Sequence, residues 1–127
     1  MIDVLVVDDS TLTRKAIRRI IEMTGLEVGT IREAENGRQA LEALEQGHVD
    51  LVLADLNMPE MGGIEMMHHM WANEATRGIP VVVISTESST TRIEGLVADG
   101  AKDYLHKPFT PEKMRTIIEH VLGVTRP

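Results

Sequence analysis

The chain has 127 residues, of which 43% are hydrophobic and 26% charged, and it contains no cysteine. That length and composition suit one soluble globular domain, and the lack of cysteine excludes disulfides, thiolate metal sites and thiol catalysis. The net charge of -7 disfavours nucleic-acid binding by this chain, because phosphates would be repelled. No apolar run is long enough to span a bilayer, and no basic segment precedes an apolar stretch at the N-terminus. We therefore expect a cytoplasmic protein without membrane insertion.

Five short apolar segments alternate with five helical patterns along the chain. The segments cover residues 2–7, 28–34, 49–54, 81–84 and 103–106. Alternation of this kind predicts a parallel sheet covered by helices on both faces. The third segment is apolar at nearly every position, which is typical of a central strand buried on both sides. We expect an α/β fold in a single domain over residues 1–127.

The helical patterns differ in strength. The first helix follows Ser10 or Thr11, either of which can be its N-cap. The fourth has only a thin apolar stripe, which we expect to give a loosely held helix, and the fifth begins clearly after Thr110 with proline at its first position. The predicted buried positions of the first helix are Leu12, Ala16, Ile17, Ile20 and Ile21, and those of the fourth are Ile93, Leu96 and Val97.

Three carboxylates follow two of the predicted strands. Asp8 and Asp9 come after the first strand, and Asp55 comes after the third. If these strands are neighbours, all three acids share one end of the sheet, where ligands bind in open α/β folds. Acids gathered in one pocket repel each other unless a cation joins them or their pKa values shift. Oxygen ligands without His or Cys favour magnesium or calcium, and an open site without an EF-hand loop favours magnesium.

Two further groups are expected at the same edge of the sheet. Lys107 follows the fifth strand and brings a positive charge, and Ser85 or Thr86 brings a hydroxyl from the fourth. Acids, a metal ion, an ammonium and a hydroxyl describe a pocket for a phosphoryl group. A carboxylate can itself be the nucleophile and carry the phosphoryl group as an acyl phosphate. The spacing does not decide which acid does so.

Four segments in this order and spacing resemble response-regulator receiver domains, and most closely their single-domain chemotaxis (CheY) type. The segments are residues 4–10, 55–59, 80–85 and 103–109, and the resemblance covers essentially the whole chain. It implies a flavodoxin-like (βα)5 fold with five parallel strands in the order 2-1-3-4-5, and a cis bond between Lys107 and Pro108. The sequence departs from the pattern at Gly62-Gly63, where many members have an aspartate before the glycine that opens the third helix. We expect this to loosen the loop without removing a ligand.

The resemblance also implies a role for each acid. Asp55 would be the phosphoacceptor. Asp9 and Asp55 would bind Mg²⁺ directly, with Asp8 acting through water and Asn57 through its backbone carbonyl. The metal site is therefore expected to consist of oxygen donors from two loops at one edge of the sheet.

Other residues would act on the phosphoryl group or report its presence. Lys107 would contact a phosphoryl oxygen, and Ser85 would follow the phosphoryl group and start the switch. Tyr104 would change between exposed and inward positions. Asn57 and Glu87, which lie two residues past Asp55 and Ser85, would set the lifetime of the acyl phosphate.

The implied partners follow from this chemistry. A histidine kinase would donate the phosphoryl group, a target protein would bind the surface of the fourth helix, fifth strand and fifth helix, and a phosphatase is a further partner. The chain would be a monomer that catalyses its own phosphotransfer and dephosphorylation only. Two readings stay open: a chemotaxis-type single domain, or the N-terminal receiver domain of a longer response regulator with an output domain after residue 127.

Two other classes of protein share parts of this pattern. A flavodoxin-type flavin binder would have the same topology, but Asp8 and Asp9 would repel the flavin phosphate where a hydroxyl- and glycine-rich loop is needed. An aspartate-dependent phosphatase also uses an acid at a strand end. Its second acid is replaced here by Asn57, and the chain lacks room for a substrate cap.

Overall fold

A computed structural model describes residues 1–86 and 89–123. Strands and helices alternate along the chain, as the sequence predicts, and no helix within the described residues is long and apolar enough to cross a membrane. The strands are β1 Ile2–Val7, β2 Val28–Ala34, β3 Leu51–Ala54, β4 Val81–Ser85 and β5 Asp103–His106. The helices are α1 Thr11–Met23, α2 Gly37–Gln46, α3 Gly63–Ala72, α4 Thr90–Ala98 and α5 Pro111–Leu122.

The five strands form one parallel sheet in the order β2-β1-β3-β4-β5, which confirms the predicted flavodoxin-like topology. The chain reverses its direction of winding after β2, so β1 and β3 are neighbours at the centre. Val7 at the end of β1 pairs with Ala54 at the end of β3. This register brings the two loops that follow these strands to the same edge of the sheet.

The central strands are buried on both faces because their side chains alternate between two cores. Leu5 and Val7 face the core that α2, α3 and α4 cover, whereas Val4 and Val6 face the core that α1 and α5 cover. The helical side chains in the first core include Ala40, Met66, Met67, Met70 and Leu96, and those in the second include Ile17, Ile21, Met114 and Ile118. This layering explains why β3 and β4 are apolar at successive positions.

Side-chain caps set the first turn of four helices. Ser10 accepts a hydrogen bond from the Thr13 amide and is the N-cap of α1, which decides between the two candidates in the sequence. Asn36, Ser89 and Thr110 cap α2, α4 and α5 in the same way. Helix α3 differs, because its N-cap is Gly62, which has no side chain to accept such a bond.

The structure corrects the predicted bounds and faces of three elements. Strand β3 begins at Leu51 rather than at residue 49, and just before it the Asp50 carboxylate accepts the Asp3 amide at 2.8 Å while the Asp50 amide donates to the Asp3 carbonyl at 2.8 Å. Leu12, which is 80% exposed, and Ala16 are exposed instead of buried, because the buried stripe of α1 runs through Arg14, Ile17 and Ile21 on another side of the helix. Val97 is also exposed, and Leu96 is the one buried residue of α4, all of whose residues are described. The buried face of α4 is therefore narrower than the sequence predicts.

The loop that joins β3 to α3 packs tightly at Gly63. A Cβ atom there would lie 2.5 Å from the carbonyl oxygen of Asp55 and 3.3 Å from Cα of Leu56. The backbone of Gly63 is therefore closely fitted to that of Asp55.

We predict that Gly63→Ala lowers the free energy of unfolding by about 1–3 kcal/mol, because the new methyl group overpacks against main chain that cannot move aside cheaply. Gly95→Ala is the matched control. It adds the same methyl group inside α4, where nothing lies within 4 Å, and should raise stability by about 0.5–1 kcal/mol. Urea unfolding of the two variants and the wild type measures both values. Equal stability of Gly63→Ala and the wild type would show that the loop accommodates a side chain.

Candidate functional site

The ends of β1 and β3 bring three carboxylates together. Asp8 and Asp9 directly follow β1, and Asp55 directly follows β3, where its amide donates to the Val7 carbonyl at 3.0 Å. Each of the three acids offers one oxygen within 4.8 Å of those of the other two. Asp8 is buried, Asp55 is half-buried and Asp9 is exposed. The cluster therefore opens to solvent on one side and rests on the sheet on the other.

Asp8 is held by bonds from several directions. Its amide donates to the Ala34 carbonyl at 3.0 Å, and its Oδ1 accepts the Ser10 amide at 2.9 Å. The guanidinium of Arg14 donates to its backbone carbonyl at 2.7 Å. Lys107 Nζ lies 3.8 Å from Oδ2 and adds a more distant positive charge. These contacts leave Asp8 little freedom to change its orientation.

Burial raises the pKa of the Asp8 carboxyl above its ordinary value, because the charged form loses its hydration. The hydrogen bond from the Ser10 amide lowers the pKa of Asp8, and the charge of Asp55 raises it. The positive charge of Lys107 lowers this pKa, whereas the negative charge of Asp9 raises it. In the absence of a cation, an ionised Asp8 is therefore unfavourable in the folded protein. A buried carboxylate whose charge Lys107 and the Ser10 amide only partly offset fits a site that takes up positive charge.

We expect Asp8→Asn to stabilise the metal-free protein by about 0.5–2 kcal/mol at neutral pH, because it removes a buried like charge and keeps the oxygen that accepts from Ser10. The pKa of Asp8 is higher in the folded than in the unfolded state, so the folded state binds more protons between the two values. The stability of the wild type therefore falls as pH rises through that window. The advantage of Asp8→Asn should shrink as pH falls through it.

Urea unfolding in EDTA, repeated across pH, measures this difference. Added Mg²⁺ should then favour the wild type, since a ligand that binds only the folded state stabilises it. A variant that is less stable than the wild type in EDTA at neutral pH would contradict the account of Asp8.

The ends of β4 and β5 add the remaining predicted groups. Ser85 is the last residue of β4 and is buried, and it pairs with His106 of β5. Its backbone carbonyl accepts the Lys107 amide at 2.8 Å and the Tyr104 hydroxyl at 3.0 Å. Tyr104 is half-buried, and Lys107 precedes a cis peptide bond to Pro108, as the resemblance to receiver domains implies. The backbone amide of Lys107 and the hydroxyl of Tyr104 thus both donate to the carbonyl of Ser85.

The structure describes one of the two residues that we expect to affect the phosphoryl lifetime. Asn57 is exposed in the loop after β3, two residues beyond Asp55. Glu87 lies outside the described residues. Asp55 itself is fixed by the Leu56 amide, which donates to its Oδ1 at 2.8 Å. Its carboxylate is thus oriented by its own loop.

Two features next to the acids were not predicted from the sequence. The first is Arg14, whose burial was detectable in principle because it occupies the same helical stripe as Ile17 and Ile21. The second is an apolar groove of about 680 Å³ beside the acid pocket, which no sequence pattern indicated because its two walls are far apart in the chain. The groove is lined by Leu12, Thr13, Ala16, Ile17, Ile20, Thr86, Lys107, Pro108 and Phe109.

The acid cluster suits a small, hard divalent cation. Asp8, Asp9 and Asp55 provide oxygen donors only, and they are close enough to share one ion. A cation there would also favour the ionised form of Asp8, whose pKa is raised by burial and, to a lesser extent, by the charge of Asp55. A second group with similar spacing, Asp3, His48 and Asp50, lies at the opposite end of the sheet. There the Asp50 carboxylate already bonds the Asp3 amide and His48, which lowers its pKa.

The sheet order and the acid cluster at its carboxyl edge agree with the resemblance of the sequence to receiver domains. The family described as "Response regulator receiver domain" matches residues 4–119. The chain belongs to this response regulator receiver domain family.

Relatives with similar sequences and structures agree with this assignment. A chemotaxis protein CheY1 of Helicobacter pylori is 34% identical over 120 residues, which are 94% of this chain and 95% of that protein. The structure of the chemotaxis protein CheY4 of Vibrio cholerae has a TM-score of 0.83 and 32% identity, and the match covers 96% of this chain and 99% of that one. The receiver domain of a Pseudomonas aeruginosa sensor histidine kinase shares the fold, with a TM-score of 0.82, 24% identity and coverage of 96% and 98%. A magnesium ion is coordinated in the active site cleft of that receiver domain.

Proposed function

We propose that this chain is a phosphoacceptor of a two-component chemotaxis pathway and that Asp55 takes the phosphoryl group. The observation that carries the proposal is the clustering of Asp8, Asp9 and Asp55, with Lys107 beside Asp8. Of the three acids, Asp55 lies at the end of β3, the central strand. The loop after β1, on one side, provides Asp8 and Asp9, and the loop after β5, on the other side, provides Lys107. Its partial exposure leaves an oxygen open to an incoming phosphoryl group.

The proposed reaction transfers a phosphoryl group and consumes nothing else. A carboxylate oxygen of Asp55 attacks phosphorus, the bond from phosphorus to the donor nitrogen breaks, and the donor histidine leaves with the electron pair. Lys107 holds a phosphoryl oxygen through its positive charge. In the return step, water attacks phosphorus, the bond to Asp55 breaks, and carboxylate and inorganic phosphate result. The chain thus catalyses its own phosphotransfer and dephosphorylation and acts on no other substrate.

The proposed cofactor is Mg²⁺. Asp9 and Asp55 would bind it directly, Asp8 through water, and Asn57 through its backbone carbonyl. When bound, the ion supplies positive charge that offsets the three acids and the phosphoryl oxygens. The negative charge of the buried Asp8 carboxylate would keep the ion close to Asp55.

The proposed partners follow from the chemistry and from the relatives. A CheA-like histidine kinase would be the donor, a separate protein would read the output, and a phosphatase would shorten the signal. We propose that residues 1–127 make a single receiver domain, monomeric and cytoplasmic. The chemotaxis relatives, which this chain matches over nearly their whole length, support the chemotaxis-type reading.

We propose that phosphorylation switches the surface made by α4, β5 and α5. Ser85 would move toward the phosphoryl group and Tyr104 would turn further inward, since Tyr104 already bonds to the Ser85 carbonyl. Helix α4 buries Leu96 alone, so little packing opposes its displacement. A groove of about 670 Å³ between β5 and α5, which Tyr104 helps to line, offers the target a site on this surface.

The output surface can be tested by NMR. Beryllofluoride with Mg²⁺, a phosphoryl mimic, should shift amide signals of α4 and β5 in the wild type but not in Asp55→Asn. Tyr104→Phe removes the hydroxyl that bonds to Ser85 and should reduce the shifts in α4 while those next to Asp55 persist. Shifts confined to the acid pocket, with residues 90–110 unchanged, would exclude this output surface.

Asn57 and Glu87 remain the proposed determinants of the phosphoryl lifetime. The exposed position of Asn57 beside Asp55 supports its part in this proposal, since a side chain there can screen the acyl phosphate from water.

The experiment that tests the function is intact-mass measurement after incubation with a small acyl phosphate and Mg²⁺. The wild type should gain the mass of one phosphoryl group and lose it again with time. A mass that never changes, in protein whose NMR spectrum is that of a folded domain, would refute the proposed activity.

A further inference from the structure

Arg14 is a charged side chain buried beside the acid cluster. Only 7% of the residue is exposed, and arginine is rarely buried this deeply unless it is paired. It shares the inward face of α1 with Ile17 and Ile21, where an apolar residue would cost less. Its burial therefore needs a reason beyond packing.

The guanidinium of Arg14 joins three parts of the fold. Nη1 donates to the backbone carbonyl of Asp8 at 2.7 Å, and Nε donates to Glu33 Oε1 on β2 at 2.9 Å. Nη2 donates to the Thr11 hydroxyl at 3.2 Å. Glu33 balances the buried charge, and the planar fork of the guanidinium fixes the directions of these bonds. A single ammonium could not reproduce this geometry.

The carbonyl that Arg14 contacts belongs to the peptide unit between Asp8 and Asp9. A peptide unit is planar, so a bond that fixes its oxygen also fixes the direction in which the chain leaves Asp8 and enters Asp9. The other bonds of Asp8 hold its own amide and its carboxylate. The bond from Arg14 is thus the one, among these described contacts, that orients the two acids relative to each other.

We propose that Arg14 is a positioning residue for the cation site: it holds the Asp8–Asp9 peptide plane so that both carboxylates face Asp55. It touches neither the phosphoryl group nor the cation. The inference rests on the proposed function, because it concerns the same acids. It adds a buried group on α1 and its counter-ion on β2 to the residues that determine Mg²⁺ affinity.

The test compares Arg14 with Arg18, its neighbour on α1. Arg18 also bonds to Glu33, at 3.3 Å, and to a backbone carbonyl, that of Ile31, at 3.0 Å. Within the described part of the chain its contacts lie on β2 rather than on Asp8. Arg14→Ala, Arg14→Lys, Arg18→Ala and Arg18→Lys therefore separate the bond to Asp8 from the general effect of losing an arginine next to Glu33.

The measurement is the Mg²⁺ dissociation constant of each folded variant, from amide shifts during titration with Mg²⁺ alone. Removing a group that orients a metal ligand typically weakens metal binding about 10–100-fold, and we expect that loss in both Arg14 variants. Both Arg18 variants should stay within about twofold of the wild type, by the same reasoning. If Arg14→Ala does not fold, Arg14→Lys decides, because it keeps a positive charge opposite Glu33 but loses the fork.

The outcomes distinguish this inference from the proposed function. A wild type that does not bind Mg²⁺ at the acids would refute the proposed cofactor itself. A wild type that binds Mg²⁺, together with Arg14 and Arg18 variants of equal affinity and merely lower stability, would show that Arg14 only supports the fold and would overturn the inference.

Discussion

Asp55→Asn is expected to abolish phosphorylation by a small acyl phosphate and by a histidine kinase, with a loss in rate on the order of 10³-fold or more. The physical reason is that an amide oxygen is a poor nucleophile, whereas a carboxylate oxygen can form the bond to phosphorus. Asparagine keeps the shape of the side chain and an oxygen that can accept the Leu56 amide. The loop should therefore retain its conformation. The gain of one phosphoryl group, followed by intact mass, measures the effect.

Asp99→Asn is the matched control for this substitution. Asp99 is an acid at the end of α4 that pairs with His68 rather than with the acid cluster. Its replacement should leave the labelling rate unchanged within about twofold, as expected for a substitution away from the reacting groups. Equal labelling of the wild type and Asp55→Asn would show that another residue accepts the phosphoryl group.

Removal of Mg²⁺ is expected to have the second largest effect. Chelation with EDTA should reduce the phosphorylation rate about 10²-fold or more, because three acids would then repel the phosphoryl oxygens without a compensating charge. Asp9→Asn should give a similar loss at low Mg²⁺ concentration, since it removes one of the proposed direct ligands. Asp9 is exposed, so the stability of this variant should change by less than about 0.5 kcal/mol.

The dependence on Mg²⁺ concentration provides the control. If Asp9 contributes to binding the cation, a higher Mg²⁺ concentration should recover part of the lost rate in Asp9→Asn, but none in Asp55→Asn. Undiminished labelling in EDTA would contradict a role for a divalent cation.

Much of the fold was predictable because short apolar segments of strand length alternate with segments in which apolar residues recur at helical spacing. Successive apolar residues in β1, β3 and β4 indicated strands buried on both faces, and the two cores show why. The sheet order was not fixed by these patterns and came from the resemblance to receiver domains. Once that order holds, the register of Val7 with Ala54 alone brings Asp8 and Asp55 together.

The features that the sequence did not reveal depend on contacts between distant parts of the chain. Leu12 fits the apolar spacing of α1, yet it is exposed and lines a groove whose other wall contains Phe109. Arg14 lies on a buried stripe, and its counter-ion Glu33 becomes its neighbour only when β2 pairs with β1. Helical periodicity identifies a face but not what covers it.

The bond between Tyr104 and Ser85 shows the same limit at the proposed switch. The sequence placed Ser85 directly after the fourth strand and Tyr104 on the fifth, and the resemblance suggested that they are coupled. The register in which Ser85 pairs with His106 is what lets the Tyr104 hydroxyl reach the Ser85 carbonyl. Such a register cannot be read from β4 and β5 separately, because both are short and lack a turn that would set it.

The most direct test of the proposed phosphoacceptor is to locate the phosphoryl group. Borohydride reduces an acyl phosphate to an alcohol, so the modified residue can be identified by peptide mass after the labelled wild type is reduced and digested. We expect the reduced residue to be Asp55 and its appearance to require Mg²⁺ during labelling. Reduction at Asp8 or Asp9, or a phosphoryl group that survives borohydride on Ser85 or Thr86, would contradict this expectation.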